Sequence, residues 1–172
     1  MTAGMLYLKD TYLFHAKGTI ASTGSDERGA YVALDRTVFY PQGGGQPGDR
    51  GNLEVAGKTF DVKDVRFVDG DVRHYVEGQD PFLTTGAAVK MNVDSARRLE
   101  NAATHSAGHL IAQLMEEMYP PCVAVKGHHF AGEAYVELEG AMPIGDEVAV
   151  IALQEAAAHA CAQGAIITAE LL

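Results

Sequence analysis

The spacing of apolar and polar residues divides the chain near residue 94. Before that point, short apolar segments between glycine-containing turns predict β-strands at residues 30–40, 51–55, 58–68, 72–77 and 87–93. Residues 6–20 also read as β structure, whereas the polar, glycine-containing segment 22–29 predicts a loop. Short strands joined by regular turns are typical of a small β-barrel, which we place at residues 1–93.

From Asp94 onward the apolar residues recur at helical spacing, and Asp94 or Ser95 can cap a helix. The predicted apolar stripe consists of Leu99, Ala103, Leu110, Leu114 and Met118. Pro120 and Pro121 then end the helix.

Strands are predicted at residues 122–126 and 134–138 around a turn at 127–132, then a second helix from 146 to about 163 and a strand at 165–172. Gly164 is expected to close the second helix. The predicted fold class is therefore α+β. A small N-terminal β-barrel at 1–93 precedes an α+β domain at 94–172, with an antiparallel sheet and two packed helices.

Composition and charge narrow the class of protein. The chain of 172 residues is 47% hydrophobic and 21% charged, as in folded soluble proteins, and no apolar run is long enough for a membrane span. Two cysteines without a signal peptide favour a reducing cytoplasm. The net charge of -10 argues against indiscriminate nucleic-acid binding. All 13 lysines and arginines lie at or before Lys126. Lys90, Arg97 and Arg98 can therefore form a local basic patch, and the equal alternative is that they are only the solvated start of a helix.

The first predicted helix carries two histidines four positions apart, His105 and His109, which fall on one face. This spacing is typical of helical zinc sites, although it also arises by chance. Ser106 stands where helical metalloproteases carry a glutamate base, so that activity is disfavoured. Gly108 costs about 1 kcal/mol relative to alanine inside a helix, and therefore indicates that another backbone or a ligand approaches there closely.

Three stretches together resemble the alanyl-tRNA editing family, known as AlaX, which comprises free-standing relatives of the alanyl-tRNA synthetase editing domain. The first is the glycine-rich segment 34–51, which contains Gly44, Gly45 and Gln46. The second is segment 93–98 followed by His105 and His109, and the third is segment 126–130.

The resemblance implies hydrolysis, in trans, of the ester that joins serine or sometimes glycine to tRNA(Ala). It also implies a zinc ion at His105 and His109, and an N-terminal barrel that helps to orient the substrate. The residues expected to contact the tRNA acceptor end are Gly44, Gly45, Gln46, Arg97, Lys126, Gly127, His128 and His129. For Gln46, a role in a structural turn is an equal alternative.

The chain departs from the family at the remaining zinc ligands, which the family supplies as Cys-x-x-x-His after the second helix. His159 and Cys161 are only two positions apart on the predicted helix and do not match that pair. His128 or His129 can supply a third ligand, and the alternative is that both lie at a polar hairpin tip. Cys122 is expected to be a buried, inert thiol.

Two hypotheses of different classes follow. The first is a zinc-assisted aminoacyl-tRNA hydrolase that acts in translation fidelity and binds the tRNA(Ala) acceptor end. The second is a metal-free tRNA-binding module of the same fold. A third reading is that the 172 residues are a piece of a longer protein. We expect no membrane association, and an uncovered sheet edge favours a homodimer.

Overall fold

The computed structural model describes residues 4–140, 145 and 147–164 of the chain. The chain forms two compact units, Met1–Glu100 and Asn101–Leu172. Each unit is described by itself. The predicted domain boundary at residue 93 stays a prediction.

A closed antiparallel β-barrel forms most of the first unit, as the sequence predicts. Ahead of it lie the short strand β1 (Gly4–Met5) and a 3₁₀ turn at Leu6–Leu8. The other strands of the unit are β2 (His15–Asp26), β3 (Gly29–Leu34), β4 (Arg36–Thr37), β5 (Gly51–Val55), β6 (Lys58–Val68), β7 (Asp71–Val76) and β8 (Ala88–Val93). The barrel closes in the order β2-β3-β7-β6-β5-β8, while β1 pairs with β4.

The barrel core follows from the alternation of side chains along the strands, since alternate residues face opposite sides of a sheet. Leu53 and Val55 on β5, Val62 and Val65 on β6, and Met91 on β8 are all buried. Asp69 and Gly70 connect β6 and β7, with backbone φ angles of 53° and 86°. Positive φ at both central residues is the geometry of a two-residue hairpin turn, which the Asp-Gly pair predicts.

The loop predicted at residues 22–29 is wrong. Strand β2 continues through this segment to Asp26 and pairs with β3 as far as Asp26 opposite Gly29. Its small residues have a packing role, because a Cβ atom on Gly24 would lie 2.5 Å from the Tyr31 hydroxyl. Likewise, residues 6–20 are not a continuous strand. The single strand predicted at 30–40 is instead two shorter strands, β3 and β4.

Helix α1 (Ser95–Met118) begins where the sequence predicts, and Asp94 Oδ1 accepts a hydrogen bond from Arg97 N at 3.1 Å. The apolar stripe is only partly confirmed. Leu99 is 43% exposed and Ala103 is exposed, whereas Arg98 and Asn101 are buried. The first two turns of α1 therefore bury polar side chains, Arg98 and Asn101.

Arg98 holds the start of α1 to the barrel within the first unit. Its Nε donates to both carboxylate oxygens of Asp49, at 3.0 and 2.9 Å, and its Nη2 also donates to that carboxylate. The guanidinium further donates to the carbonyl oxygens of Thr11, at 2.9 Å, and Val38, at 2.5 Å. A buried arginine needs such a complete set of acceptors, because an unpaired charge in the interior is costly.

The second unit contains most of α1, a hairpin of β9 (Val123–His128) and β10 (Tyr135–Glu139), and helix α2 (Glu147–Gln163). The pairing of β9 with β10 is antiparallel, which confirms the predicted sheet type. Strand β9 extends two residues into the predicted turn at 127–132, and Gly164, with φ of 68°, closes α2. Packing of the two helices on each other stays a prediction.

Asp146 and the strand predicted at 165–172 lie outside the described residues. Among the residues described, no helix has the length and apolar content needed to span a membrane.

Candidate metal centre

Three histidines of the second unit lie together: His105 and His109 on α1, and His129 directly after β9. The His105 ring centroid lies 4.9 Å from that of His109 and 4.4 Å from that of His129. One ring nitrogen from each histidine lies within 4.8 Å of the others. The helical spacing thus brings two imidazoles together, and the end of a strand distant in sequence supplies a third.

Two glycines make room for the His129 ring between the helix and the hairpin. A Cβ atom on Gly108 would lie 2.3 Å from His129 Cε1, and one on Gly127 would lie 2.5 Å from His129 Nε2. Either contact is far shorter than a van der Waals distance, so any larger residue would displace the ring. The expected close approach to the helix at Gly108 is confirmed, but the approaching group is the His129 side chain rather than a backbone or a ligand.

A hydrogen bond joins the hairpin to the same helix. Glu116 Oε1 on α1 accepts from Ala124 N on β9 at 2.8 Å. Because Glu116 follows His109 by two helical turns, this bond fixes the strand alongside the face that carries the histidines. The position of His129 therefore depends on both the glycine contacts and this anchor.

The environment favours neutral imidazoles, the form that binds metal ions. Burial, followed by the charges of His129 and His109, lowers the pKa of His105. Burial, followed by His109 and His128, lowers the pKa of His129. Three closely spaced imidazoles repel one another when protonated, so the cluster retains unprotonated nitrogens near neutral pH.

The donor set fits a transition-metal ion such as zinc. His129 is 4% exposed, and its Nδ1 is buried without a hydrogen-bond partner among the described residues. A buried imidazole nitrogen normally has a partner, and a metal ion is one that would satisfy it. His105 is partly exposed and His109 is exposed, so the cluster faces solvent on the helix side. Three imidazoles with an open side match catalytic zinc sites, which keep a position for water or substrate.

The other predicted contact residues of the hairpin directly precede His129 in the chain. Gly127 contacts the His129 ring, and His128 lies on the opposite side of the strand. Lys126 is exposed and its Nζ forms an ion pair with Glu137 at 2.8 Å. Their assignment as tRNA contacts stays a prediction.

The glycine-rich segment lies in the barrel unit. Gly44 and Gly45, with φ angles of 57° and 76°, form a tight turn in which Gly43 and Gln46 exchange backbone hydrogen bonds of 3.2 and 3.0 Å. Glycine adopts positive φ at both positions at the least steric cost. Gln46 is 5% exposed, so the alternative of a structural turn accounts for this segment on conformation alone.

Arg97, the last of the predicted contacts, also belongs to the first unit. Its Nε is buried and lacks a hydrogen-bond partner in the described part of the chain.

Several residues of the site are not apparent from spacing alone. The sequence offers His128 and His129 equally, and only the strand geometry selects His129 for the cluster. Phe130 and Tyr135, whose rings stack with His128, were not predicted at all. Alternation along β9 and β10 is the signal that places His128 and Tyr135 on one face, once the pairing register is known.

Comparison with known proteins agrees with the fold. Residues 8–97 match the family model described as tRNA synthetases class II (A). The alanyl-tRNA editing protein AlaX-M of Methanosarcina barkeri is 39% identical over 116 residues, which are 65% of this chain and 46% of that protein. AlaX-L of Pyrococcus horikoshii is 33% identical over 114 residues, 66% of this chain and 28% of that protein.

A longer match is to an alanine–tRNA ligase of Methanopyrus kandleri, 33% identical over 144 residues, which are 83% of this chain and 16% of the ligase. The chain thus spans less than half the length of each of these relatives. The chain belongs to the class II tRNA synthetase (A) family, and within it to the AlaX-like alanyl-tRNA editing proteins. The family model ends at residue 97, so the three histidines are identified by their geometry.

Proposed function

We propose that the protein hydrolyses the ester of mischarged Ser-tRNA(Ala) or Gly-tRNA(Ala) in trans, with a zinc ion held by His105, His109 and His129. The observation that carries the proposal is the convergence of three imidazole nitrogens within 4.8 Å in a chain related to alanyl-tRNA editing proteins. His129 then takes a ligand position that the family fills from Cys-x-x-x-His.

The residues of the chain provide the position and the protonation state of the ligands. His105 and His109 are held by the helix period, and His129 by Gly108, Gly127 and the bond between Glu116 and Ala124. All three imidazoles must be neutral to bind the ion, and the lowered pKa values of His105 and His129 favour that state. The exposed side at His109 leaves room for the acceptor end of the tRNA.

A bound zinc ion would act as a Lewis acid, which would polarise an ester carbonyl or lower the pKa of bound water to about 7. An aminoacyl ester is already activated, so a positioned water and a polarised carbonyl are the main requirements. Selectivity for serine over alanine requires a group that hydrogen-bonds the serine hydroxyl, since such a site strongly rejects analogues that lack it.

The partner in this proposal is the acceptor end of tRNA(Ala), and the setting is the cytoplasm, where translation takes place. The Gly44–Gly45 turn, Gln46 and Arg97 are proposed to contact the tRNA from the barrel unit. Lys126, Gly127, His128 and His129 are proposed to do so from the hairpin.

The test is the deacylation of Ser-tRNA(Ala), Gly-tRNA(Ala) and correctly charged Ala-tRNA(Ala) by zinc-loaded protein. We expect the two mischarged substrates to be hydrolysed and Ala-tRNA(Ala) to be spared. His105→Ala should lower the rate by at least tenfold, because one of three ligands is lost. His159→Ala is the matched control, since His159 is an exposed histidine of α2 outside the cluster.

Equal rates for the wild-type protein and His105→Ala would contradict the proposal. Protein that contains no zinc but binds tRNA(Ala) would instead support the alternative, a metal-free binding module. Zinc content should therefore be measured on the same preparations.

A further inference from the structure

Three aromatic rings of the hairpin form a stacked row beside the candidate metal centre. The rings of His128 and Phe130 are parallel within 1°, with centroids 4.3 Å apart. His128 also stacks with Tyr135 across the strand pair, with centroids 5.2 Å apart and an interplanar angle of 23°. We call Phe130, His128 and Tyr135 the ring row.

The exposed end of the ring row is Tyr135. Its side chain is 44% exposed, which is unusual for a ring that already stacks on one neighbour. Lys126 Nζ lies over the Tyr135 ring, 5.5 Å from its centroid. The Lys126 side chain remains 57% exposed although its Nζ contacts Glu137.

Exposed rings with a flanking cation match the chemistry of unpaired nucleic-acid strands. Unstacked bases bind proteins by stacking on aromatic side chains, and lysine or arginine contacts the adjacent phosphates. Among the described residues of β10, Tyr135 is the only one with a large, exposed aromatic ring.

The ring row is also adjacent to the cluster in the chain. His128 is the last residue of β9, and His129 of the cluster directly follows it. In an aminoacyl-tRNA, the ester is attached to the ribose of the terminal adenosine. A base that stacks on the ring row lies at the end of the hairpin that carries His129, on the other side of the strand.

We propose that the ring row binds the terminal unpaired base of the RNA acceptor end by stacking on Tyr135, with Lys126 near the adjacent phosphate. This inference rests on the proposed function for the identity of the RNA. It adds Tyr135 and Phe130 to the site and assigns a mode of recognition that does not depend on the amino acid. Because every base has a stacking face, the preference is for the presence of a base rather than for its identity.

The test uses an uncharged hairpin RNA with the tRNA(Ala) acceptor stem and its 3′ CCA end, labelled at the 5′ end for fluorescence anisotropy. A second RNA is identical except that the terminal ribose carries no base. We expect the wild-type protein to bind the intact RNA roughly 5- to 150-fold more tightly than the abasic RNA, the range found for base–aromatic stacking.

Tyr135→Leu should reduce that ratio to near one, whereas Tyr135→Phe should retain it. Val125→Ala is the matched control, because Val125 is an exposed residue of the same hairpin, at 51%, outside the ring row. Zinc binding by Tyr135→Leu shows whether the hairpin remains folded.

A wild-type ratio near one, absence of binding to the intact RNA, or a full ratio in zinc-binding Tyr135→Leu would each overturn the inference. The proposed function is tested separately by deacylation. Base-dependent binding without hydrolysis would refute the hydrolase and leave the ring row intact. Hydrolysis together with equal binding of the two RNAs would support the hydrolase and refute base stacking on the ring row.

Discussion

Single residues decide whether three imidazoles can meet, and Gly108 is the most sensitive of them. The Gly108→Ala variant should gain helix propensity, by about 1 kcal/mol, because alanine is the better helix former. However, its new methyl group would lie 2.3 Å from His129 Cε1 and displace the ring. We therefore expect zinc affinity to fall at least tenfold without a loss of helix content.

Zinc titration and circular dichroism check this prediction. Ser106→Ala is the control, because Ser106 is an exposed residue of the same turn of α1. Unchanged zinc affinity in Gly108→Ala would show that the ring has room that the structure does not provide.

His74 governs a second residue-scale property, the pH dependence of stability. It is fully buried in the barrel, where Nδ1 lies 3.1 Å from the Val32 carbonyl oxygen and Nε2 lies 2.7 Å from Thr37 Oγ1. The neutral ring donates a hydrogen bond through Nδ1 to the Val32 carbonyl oxygen and accepts one through Nε2 from the Thr37 hydroxyl. Burial lowers the pKa of His74 to about 4, and the hydrogen bond to Val32 opposes this only partly.

The sign of the effect follows from the lower pKa of the folded state. As the pH falls, His74 is protonated in the unfolded chain before it is protonated in the folded one. The stabilisation of the folded state by neutral His74 is therefore fully present above pH 6.5 and is lost as the pH falls towards 4. Between pH 7 and pH 5 the free energy of unfolding should fall by about 2 kcal/mol on account of His74. Urea unfolding at both pH values measures the change in the free energy of unfolding. In His74→Gln the decrease from pH 7 to pH 5 should be about 2 kcal/mol smaller than in the wild-type protein. Equal pH dependence in the two proteins would contradict the assignment.

How far the sequence predicts the site can be seen from individual residues. The helical period alone places His105 and His109 on one face, because both belong to one regular element. His129 comes from another element, and its position depends on the hairpin register and on two glycines that make space for it. Such contacts between distant segments leave no periodic signal, which is why His128 and His129 could not be distinguished.

At the scale of elements, the pairing of Arg98 with Asp49 fixes the start of α1 within the first unit. Arg98 is 2% exposed and Asp49 is 0% exposed, so neither charge can be hydrated if its partner is removed. Arg98→Met should therefore lower the free energy of unfolding by about 3–5 kcal/mol. Arg36→Met is the matched control, because the Arg36 side chain is 56% exposed in its ion pair with Asp35.

Urea denaturation followed by tyrosine fluorescence and circular dichroism compares the two variants. If Arg98→Met lost no more free energy of unfolding than Arg36→Met, the proposed stabilisation by the buried Arg98–Asp49 pair would be wrong. The exposed pair should contribute less than about 1 kcal/mol.

Element prediction succeeded where composition and packing agree. Strands β5 and β6 and the Asp69–Gly70 turn have both the alternation and the turn residues that their structure needs. The end of β2 has neither, since its serine, threonine and glycine residues read as a loop. It is a strand because β3 supplies its backbone partners and Tyr31 packs over Gly24. Likewise, Arg98 could not be separated from a solvated helix start without knowledge of Asp49.

At the scale of the whole molecule, charge limits how the protein can bind RNA. The net charge is -10, and eight of the 13 cationic side chains already contact a carboxylate. Few cations therefore remain for phosphate contacts. We expect the affinity for the acceptor-stem RNA to fall by roughly tenfold or less between 50 and 200 mM salt, as for one or two phosphate contacts.

Anisotropy titrations at the two salt concentrations test this expectation. A protein with six to ten phosphate contacts would lose about 10³-fold or more over the same range. A loss of that size would contradict recognition by stacking and metal coordination, and would favour an electrostatic surface instead.

The most direct test of the account is the zinc affinity of His129→Ala, measured against a chromophoric chelator beside the wild-type protein and His159→Ala. The account predicts one zinc ion per chain in the wild-type protein and in His159→Ala, and at least a tenfold loss of affinity in His129→Ala. Wild-type affinity in His129→Ala would show that the third imidazole is not a ligand, and the candidate metal centre would then be wrong.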